Sequence, residues 1–471
     1  MSGDEPIHSP IHNQKLIADQ LAEFAAALTH EAIPEEIRLR ARHHLLDAIG
    51  IALASGKRDF AERTLVALQR VGGSGECTVV GLPARLAPRD AATLNGLLCH
   101  GLDFDDTHLA SVVHPTASAF PAALASAELA DADLDRMLTA YILGVEAAAR
   151  IGKAASSQFH AVGFHPTGVV GAFSSALVAG KLLDLTAAEL RHAQGIVLSF
   201  ASGSLEFLED GAWTKRIHPG WAAGAGLQAA TLAAAGFVGA SAPYEGRFGL
   251  YRSYLGNRFD DCDLTQATRD LGTVWELTET AIKPFPACHF THGSIDAALV
   301  LAKQLNGSAV ESIAVLVPRE VMPVVCEPEA NKKRPTNSYD AQFSVPFLVA
   351  TAICRGRVGL AEIEGDTLRD PEILELAEKV ACEPDPDSPY PQSYSGEVSI
   401  TLSDGRTLQH REQVNRGASS RPLSNGEIVE KFRTNAAASV SKARAEEVES
   451  LVLKAPGSMP AQSFAAVLGT A

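Results

Sequence analysis

Helical spacing of apolar residues dominates the sequence from about residue 15 to residue 270, and patterns typical of strands are nearly absent there. A helix is predicted from Pro34 to about Ala54, because proline is favoured in the first turn of a helix. Thr186, followed three residues later by Glu189, predicts a capping box at the start of another helix. This part of the chain is therefore predicted to be an all-helical domain.

The pattern changes after Leu277. Ser312–Val317 is a short aliphatic run of the kind found in strands, and Glu397–Glu412 alternates about a Ser-Asp-Gly turn, which predicts a β-hairpin. Helices are predicted over about Ala341–Cys354 and Asp366–Val380, and helical spacing returns from about Ser424. We predict a mainly α fold in which both chain ends form one large all-helical domain and a smaller α+β domain is inserted between them: residues 1–274, 275–411 and 412–471.

The charge balance and the cysteine content limit the possible binding partners and the cellular compartment of the protein. Forty Lys and Arg against 56 Asp and Glu give a net charge of −16, which disfavours nucleic acid because phosphate binding needs a basic face. Seven dispersed cysteines without a C-x-x-C pair are typical of reduced thiols in the cytosol. Residues 1–13 predict a loose arm without the features of a signal peptide. We expect a cytoplasmic protein.

One apolar stretch, Trp221–Ala242, is nearly long enough to cross a bilayer. It consists largely of Ala and Gly, with few large aliphatic residues and no flanking basic asymmetry. It therefore predicts a buried helix with close-packed neighbours, and we expect no membrane association.

The segment His100–Pro115, HGLDFDDTHLASVVHP, concentrates ionisable side chains among apolar ones. It holds three carboxylates and three imidazoles: Asp103, Asp105, Asp106, His100, His108 and His114. Buried charges without partners are costly, so ionisable groups on a half-buried scaffold are typical of an active site.

Other interpretations of this segment remain open. The D-x-D-x-T pattern from Asp103 to Thr107 also occurs in haloacid-dehalogenase-type phosphatases, but there it follows a strand, whereas Ala92–Leu98 predicts a helix. Paired carboxylates can bind magnesium, and an aspartate cluster can also simply cap helices. The doublet His43-His44 is predicted to lie on a helix surface.

Three further polar clusters lie beside Gly or Pro at predicted helix boundaries. They are Gly163–Gly168 with His165, Gly211–Pro219 with Lys215, Arg216 and His218, and Lys283–Gly293 with Lys283, Cys288, His289 and His292. Taken singly, His165 fits a turn histidine, Lys215-Arg216 fits a surface pair, and the third cluster lacks the spacing of zinc ligands. Together they supply carboxylates, imidazoles and ammonium groups without a nucleotide loop or a metal signature. This set suits proton transfer next to a carboxylate.

Five motifs in order resemble the MmgE/PrpD family over about residues 15 to 455: HGLDFDDTHLASVVHP, GFHPTGVVGAF, GAWTKRIHPGWAA, KPFPACHFTHGSIDAAL and SYDAQFSVPF. Members of that family include methylcitrate dehydratase, cis-aconitate decarboxylase and iminodisuccinate epimerase. The resemblance implies that the inserted domain is a lid, that the protein is a homodimer, and that it needs no metal or organic cofactor.

The resemblance also implies an active site between the domains. The catalytic candidates are Asp103, His114, His165, Lys215 and His289. The candidates for substrate binding are Thr107, Arg216, His218, Lys283, Cys288 and His292, and no metal ligand is expected. His165 or His114 would transfer the proton, Asp103 would orient an imidazole or act as base, and Lys215 would bind a substrate carboxylate and stabilise negative charge.

The implied function is a cofactor-independent lyase, a dehydratase or a decarboxylase, that acts by proton transfer on a small anionic di- or tricarboxylate such as methylcitrate or cis-aconitate. An epimerase of a dicarboxylate in the same family and a non-catalytic carboxylate-binding protein are the alternatives. The segment between Thr107 and His114 differs from the methylcitrate dehydratase pattern, which disfavours that activity.

Overall fold

Most of the chain is α-helical in the computed structural model, which describes residues 15–469, so the predicted arm over residues 1–13 lies outside the described part. The helices are α1 (Ile17–Ala27), α2 (Glu35–Ser55), α3 (Asp59–Gly72), α4 (Pro88–His100), α5 (Thr116–Leu129), α6 (Leu134–Ala154), α7 (Gln158–Ala161), α8 (Pro166–Leu182), α9 (Ala187–Val197), α10 (Phe207–Asp210), α11 (Thr214–Ala234), α12 (Leu250–Leu255), α13 (His292–Ala302), α14 (Met322–Val325), α15 (Glu329–Lys333), α16 (Ser338–Gln342), α17 (Val345–Arg355), α18 (Pro371–Glu378), α19 (Asn425–Ala436), α20 (Lys442–Lys454) and α21 (Ala461–Gly469). The strands are β1 (Cys77–Thr78), β2 (Arg85–Leu86), β3 (Thr107–His108), β4 (Thr280–Ala281), β5 (Val310–Val317), β6 (Val380–Pro384), β7 (Gly396–Leu402) and β8 (Thr407–Glu412). The predicted mainly α fold with a small mixed sheet is confirmed.

Close contact between small residues shapes the helical core around α4, α8 and α11. A Cβ added to Gly220 on α11 would lie 2.0 Å from the carbonyl oxygen of Thr93 on α4, and one added to Gly226 would lie 2.5 Å from the backbone of Ala176 on α8. The Ala- and Gly-rich stretch predicted to be a buried helix is therefore confirmed as one, although α11 begins at Thr214 and ends at Ala234. The predicted capping box of Thr186 and Glu189 is also present.

No helix within residues 15–469 combines the length and the apolar character that a transmembrane span requires.

A second core surrounds a four-stranded sheet with the order β6-β5-β7-β8. Strands β5 and β7 are antiparallel, β7 and β8 form the predicted hairpin, and α13 and α17 pack nearby. Strand β6 pairs in parallel with β5, and the sequence analysis missed it. Its sequence, Val-Ala-Cys-Glu-Pro, begins with three apolar residues and therefore lacks the alternation of apolar and polar residues that identifies a strand.

Two predicted helices of this region are wrong in extent. The predicted helix Ala341–Cys354 is interrupted between α16 and α17, where Ser344 accepts a hydrogen bond from the backbone N–H of Phe347 and caps the second helix. The predicted helix Asp366–Val380 is a short 3₁₀ segment followed by α18, because Pro371 begins a new helix after Asp370.

The C-terminal helices contribute to the helical core that the first half of the chain builds. Phe432 of α19 packs so closely on α2 that a Cβ added to Gly50 would lie 2.9 Å from its ring. Lys431 donates from Nζ to Oδ2 of Asp47 on α2 at 3.0 Å and to the carbonyl oxygen of Phe104 at 2.8 Å. The boundaries near residues 274 and 411 stay predictions.

Replacing Lys431 by Met should destabilise the protein, because Asp47 would remain buried without its cation. Loss of one partner from a buried pair typically costs about 3–5 kcal/mol. Burial raises the pKa of Asp47 to about 6 even beside Lys431, so its folded-state pKa lies above the unfolded value. Such a carboxyl favours the folded state at low pH, and this contribution is lost as the pH rises toward the folded-state pKa. Thermal unfolding should therefore show that Lys431→Met loses more stability, relative to the wild type, at pH 8 than at pH 5.

The matched control is Lys442→Met, since the Lys442 side chain is 91% exposed on the next helix. An exposed ion pair contributes roughly 0–1 kcal/mol, so this variant should unfold like the wild type. Equal stability of the two variants at pH 8 would contradict the role given to Lys431.

Candidate active site

A small, largely buried cavity lies between the helical core and the sheet-containing region. It has a volume of about 50 Å³. Eight of the eleven predicted site residues line it: Asp103, Thr107, His114, His165, Lys215, Lys283, Cys288 and His289. Apolar side chains form the rest of the wall, chiefly Val112, Leu205, Phe207, Phe290 and Phe343.

The buried carboxylate of Asp103 is held by two lysines. Its Oδ1 accepts hydrogen bonds from Lys215 Nζ at 2.9 Å and from Lys283 Nζ at 2.8 Å. Burial alone would raise the pKa of Asp103, but the two ammonium groups outweigh it and hold the pKa well below the usual range. Asp103 Oδ2 has no hydrogen-bond partner within residues 15–469. Asp103 and the neighbouring ionised Asp105 balance the charge of the two lysines, and the ammonium groups of Lys215 and Lys283 in the cavity wall can bind an anionic ligand.

Three separate parts of the chain bring these charges together. Asp103 follows the end of α4 and adopts a left-handed backbone conformation with φ 49°, which Asp tolerates better than most residues. Lys215 lies in the first turn of α11. Lys283 follows β4, which pairs with β3 so that Ala281 lies opposite Thr107. The two-stranded β3–β4 sheet therefore fixes Lys283 beside the Asp103 segment.

Three imidazoles cluster next to this ion triad. Their ring centroids are 4.8 Å apart for His100 and His114, and 5.6 Å apart for His100 and His165. Burial lowers the pKa of His114 to about 3 and that of His165 well below its usual value, and nearby Lys215 lowers both further. Both side chains are therefore neutral near pH 7.

Each of these imidazoles is fixed through its Nδ1 atom. His100 Nδ1 lies 2.7 Å from Asp105 Oδ2, His114 Nδ1 lies 2.8 Å from the carbonyl oxygen of Asp106, and His165 Nδ1 lies 3.1 Å from Nδ1 of His218. The Nε2 atom of His100 is buried and has no hydrogen-bond partner within residues 15–469.

The same rings are the residues best placed to hold a metal. One ligand atom from each of His100, His114 and His165 lies within 4.8 Å of the others. Zinc with tetrahedral nitrogen ligands brings them to about 3.3 Å of each other, so the rings would have to move closer. The ammonium groups of Lys215 and Lys283 would also repel a cation. The absence of a metal ligand stays a prediction.

His289 is held in one tautomer by a residue that the sequence analysis did not single out. The side-chain oxygen of Asn415 accepts a hydrogen bond from the backbone N–H of Tyr394 at 3.2 Å, so its nitrogen must face His289. This Nδ2 donates to His289 Nε2 at 2.7 Å. His289 therefore carries its proton on Nδ1, which has no hydrogen-bond partner within residues 15–469. Its ring lines the cavity as a neutral proton donor.

Three predicted substrate-binding residues do not line the cavity. Arg216 lies between the rings of Phe60 and Tyr339 and donates through Nε to the carbonyl oxygen of Gly101. His292 donates to the carbonyl oxygen of Ala287 and packs behind His289. His218 packs behind His165, where burial lowers its pKa to about 4.

The prediction that His43-His44 lies on a helix surface is wrong, because both side chains are buried. His44 Nδ1 lies 2.6 Å from Asp106 Oδ2, and Thr116 donates to the same oxygen. These hydrogen bonds use Asp106 to hold His44 and Thr116 in place, and Asp106 does not line the cavity. The helical pattern around His44 gave no sign of a partner 62 residues further on.

Other residues at the cavity were missed for a similar reason. His160 and Tyr394 line it, and neither belongs to the four polar clusters that indicated the site in the sequence. Tyr394 donates to the carbonyl oxygen of Leu109 at 3.3 Å and packs its ring against His289. No local signal in the sequence identifies either residue.

Comparison with known proteins gives two family matches and several full-length relatives. The MmgE/PrpD N-terminal domain matches residues 19–261, and the MmgE/PrpD C-terminal domain matches residues 285–455. Cis-aconitate decarboxylase of Aspergillus terreus is 28% identical to the chain over 464 residues, which covers 93% of this chain and 92% of the relative. Cis-aconitate decarboxylase of Mus musculus is 29% identical and covers 93% of this chain and 90% of the relative. 2-Methylcitrate dehydratase of Escherichia coli is 24% identical over 84% of this chain and 85% of the relative.

Replacing Asn415 by Asp should move the proton of His289 from Nδ1 to Nε2, because a carboxylate accepts where the amide nitrogen donated. The change can be read from the nitrogen chemical shifts of histidine-labelled protein, with His289→Gln assigning the signal. Asn435→Asp, at a buried asparagine on α19, is the control and should leave the His289 signal unchanged. An unchanged His289 tautomer in Asn415→Asp would contradict the role of Asn415.

Proposed function

Because the chain belongs to the MmgE/PrpD family, we propose that it is a lyase that decarboxylates a small unsaturated tricarboxylate of the cis-aconitate type. The observation that carries this proposal is the buried ion triad of Asp103, Lys215 and Lys283 in the wall of a buried cavity. Its two ammonium groups suit the carboxylates of an anionic substrate. The neutral imidazoles beside it suit proton transfer.

Loss of CO₂ from such a substrate leaves an electron pair that the double bond and a second carboxylate share. Ammonium groups aimed at that charge stabilise it most strongly in a site without bulk water. Lys215 has this role, and Lys283 keeps Asp103 ionised and in place. One proton then completes the product: the trianion and one H⁺ give CO₂ and an unsaturated dianion with one carbon fewer.

The proton donors of this proposal are the cavity imidazoles. His165 delivers the proton to carbon, and the centroid of the His114 ring lies 6.0 Å from that of His165. His289 presents its Nδ1–H to a substrate carboxylate without adding charge. Thr107, whose hydroxyl lies 3.3 Å from His114 Nδ1, and Cys288 complete the polar wall.

The apolar part of the cavity favours decarboxylation over dehydration. Phe207, Phe290 and Phe343 offer no group that could protonate a leaving hydroxide, whereas neutral CO₂ departs readily into an apolar space. The decarboxylase relatives also cover more of the chain than the dehydratase relatives do. Dehydration of a methylcitrate-type substrate is the alternative outcome of the same assay.

The cavity volume of about 50 Å³ is small for a tricarboxylate, since ligand sites usually measure about 300–1,000 Å³. Substrate must therefore displace side chains of the lid side, such as Phe290, Phe343 and Tyr394. We further propose a cytoplasmic homodimer that works without a metal or organic cofactor. Light scattering tests the dimer, and activity that persists in a chelator tests independence from metals.

The direct experiment is proton NMR of the purified protein in D₂O with cis-aconitate and, separately, with methylcitrate. Loss of CO₂ from cis-aconitate with one deuterium placed on carbon is the expected result. If only methylcitrate reacts, and loses water, the protein is a dehydratase and not a decarboxylase. If neither compound reacts, the proposal is overturned.

Lys215→Met should lower kcat by about 10²–10³-fold, because the variant keeps the bulk of the side chain but loses the ammonium group that stabilises the developing charge. The initial rate of CO₂ release measures the effect, and circular dichroism checks that the variant folds. Lys303→Met replaces an exposed lysine of the lid side and should match the wild type. Wild-type kcat in Lys215→Met would remove Lys215 from the mechanism.

A further inference from the structure

We propose that His218 relays the proton that His165 delivers, and that this relay connects the buried cavity to a separate surface groove. The inference rests on the proposed function, because decarboxylation consumes one proton in every turnover. His218 acts through His165 and does not line the cavity, so it is a positioning residue with a second task, proton supply.

Two spaces meet at this histidine pair. His165 is 3% exposed and lines the buried cavity. His218 is half-buried and lines a groove of about 820 Å³ on the other side, together with Phe164 and Tyr254. Phe207 borders both spaces and contacts both imidazoles edge to face, with centroids 6.3 Å from His165 and 6.1 Å from His218. The pair therefore spans the wall between cavity and groove.

The contact between the two rings joins like atoms. Nδ1 of His165 and Nδ1 of His218 are 3.1 Å apart, so one of them must carry the hydrogen and the other must accept it. The Nε2 atoms of both rings have no protein hydrogen-bond partner within residues 15–469. Each outer nitrogen is thus available, one toward the cavity and one toward the groove.

A proton can pass through this pair without creating a lasting charge. The Nε2–H bond of His165 breaks as the new C–H bond of the product forms. The Nδ1–H bond of His218 breaks as hydrogen bonds covalently to Nδ1 of His165. Nε2 of His218 then takes a proton from water in the groove. One H⁺ enters from solvent and one reaches the product, so the step balances, but both rings are left in their opposite tautomers.

After the product leaves, Nε2 of His165 takes a proton from water that enters the cavity, the hydrogen on its Nδ1 returns to Nδ1 of His218, and Nε2 of His218 releases its proton to the groove. Both rings then have their starting tautomers for the next turnover.

The other neighbours of His165 do not offer this route. His100 stacks on His165, but it is 1% exposed and its Nδ1 is bound to buried Asp105. His114 is 7% exposed and lines the same cavity, so it also depends on a proton source from outside. Of the imidazoles packed around His165, His218 alone lines the surface groove in the described part of the chain.

His218→Asn separates relay from orientation. The Asn side chain can donate to Nδ1 of His165 and keep its ring in place, but it cannot pass a proton on. We expect kcat to fall roughly 10²-fold with little change in KM. His218→Ala should lose activity similarly and regain part of it when imidazole is added. His192→Asn, at a half-buried histidine of α9, is the control and should match the wild type without response to imidazole.

Wild-type kcat in His218→Asn, or no imidazole rescue of His218→Ala, would overturn the relay and leave the proposed function standing. A wild-type protein that does not decarboxylate cis-aconitate would overturn the proposed function and the relay with it. Measuring wild type and variants in the same assay therefore separates the two failures.

Discussion

The buried carboxylate of Asp103 is the interaction on which both site and fold depend. A charge in the protein interior must be paired, and Asp103 is paired twice, by Lys215 and by Lys283. The three residues come from the segment after α4, the first turn of α11 and the segment after β4, so the triad joins the helical core to the start of the sheet-containing region. A chain that fails to assemble the cavity leaves a costly charge exposed to an apolar core. Folding and site assembly are therefore the same event at this position.

The charge of the triad explains why the surrounding histidines stay neutral. Burial and the nearby ammonium groups lower the pKa values of His114, His165 and His289 together, so none competes with Lys215 for an anionic ligand. A neutral imidazole can still donate or accept a proton, provided that its tautomer is fixed from behind. Asn415 does this for His289, whereas His165 shares a hydrogen bond with His218 in which either ring can be the donor. In the proposed mechanism, Lys215 therefore binds the anionic ligand and the neutral imidazoles transfer the proton, whereas a single cationic histidine would have to do both.

Local sequence predicted the parts of the site that lie at helix boundaries, and helix geometry explains one of its failures. Asp103, His165 and Lys215 each follow or begin a helix whose limits the apolar spacing predicts. Arg216 was assigned to substrate because it is adjacent to Lys215, but successive residues of a helix lie about 100° apart around its axis. The two side chains therefore face different spaces. Asn415 could not be predicted, because its partner His289 is 126 residues away and only the folded chain brings them together.

The proposed decarboxylation consumes a proton in a cavity whose wall is largely apolar, and these two conditions place opposing demands on the structure. Phe207, Phe290 and Phe343 exclude water, which strengthens the effect of Lys215 on developing charge. The same exclusion removes the ordinary source of protons while substrate occupies the site. The site can exclude water and still receive a proton if the proton passes through side chains while the substrate enters by a different route, past Phe290 and Phe343. The placement of His165 in the cavity wall and of His218 in the outer groove satisfies this condition with two residues in direct contact.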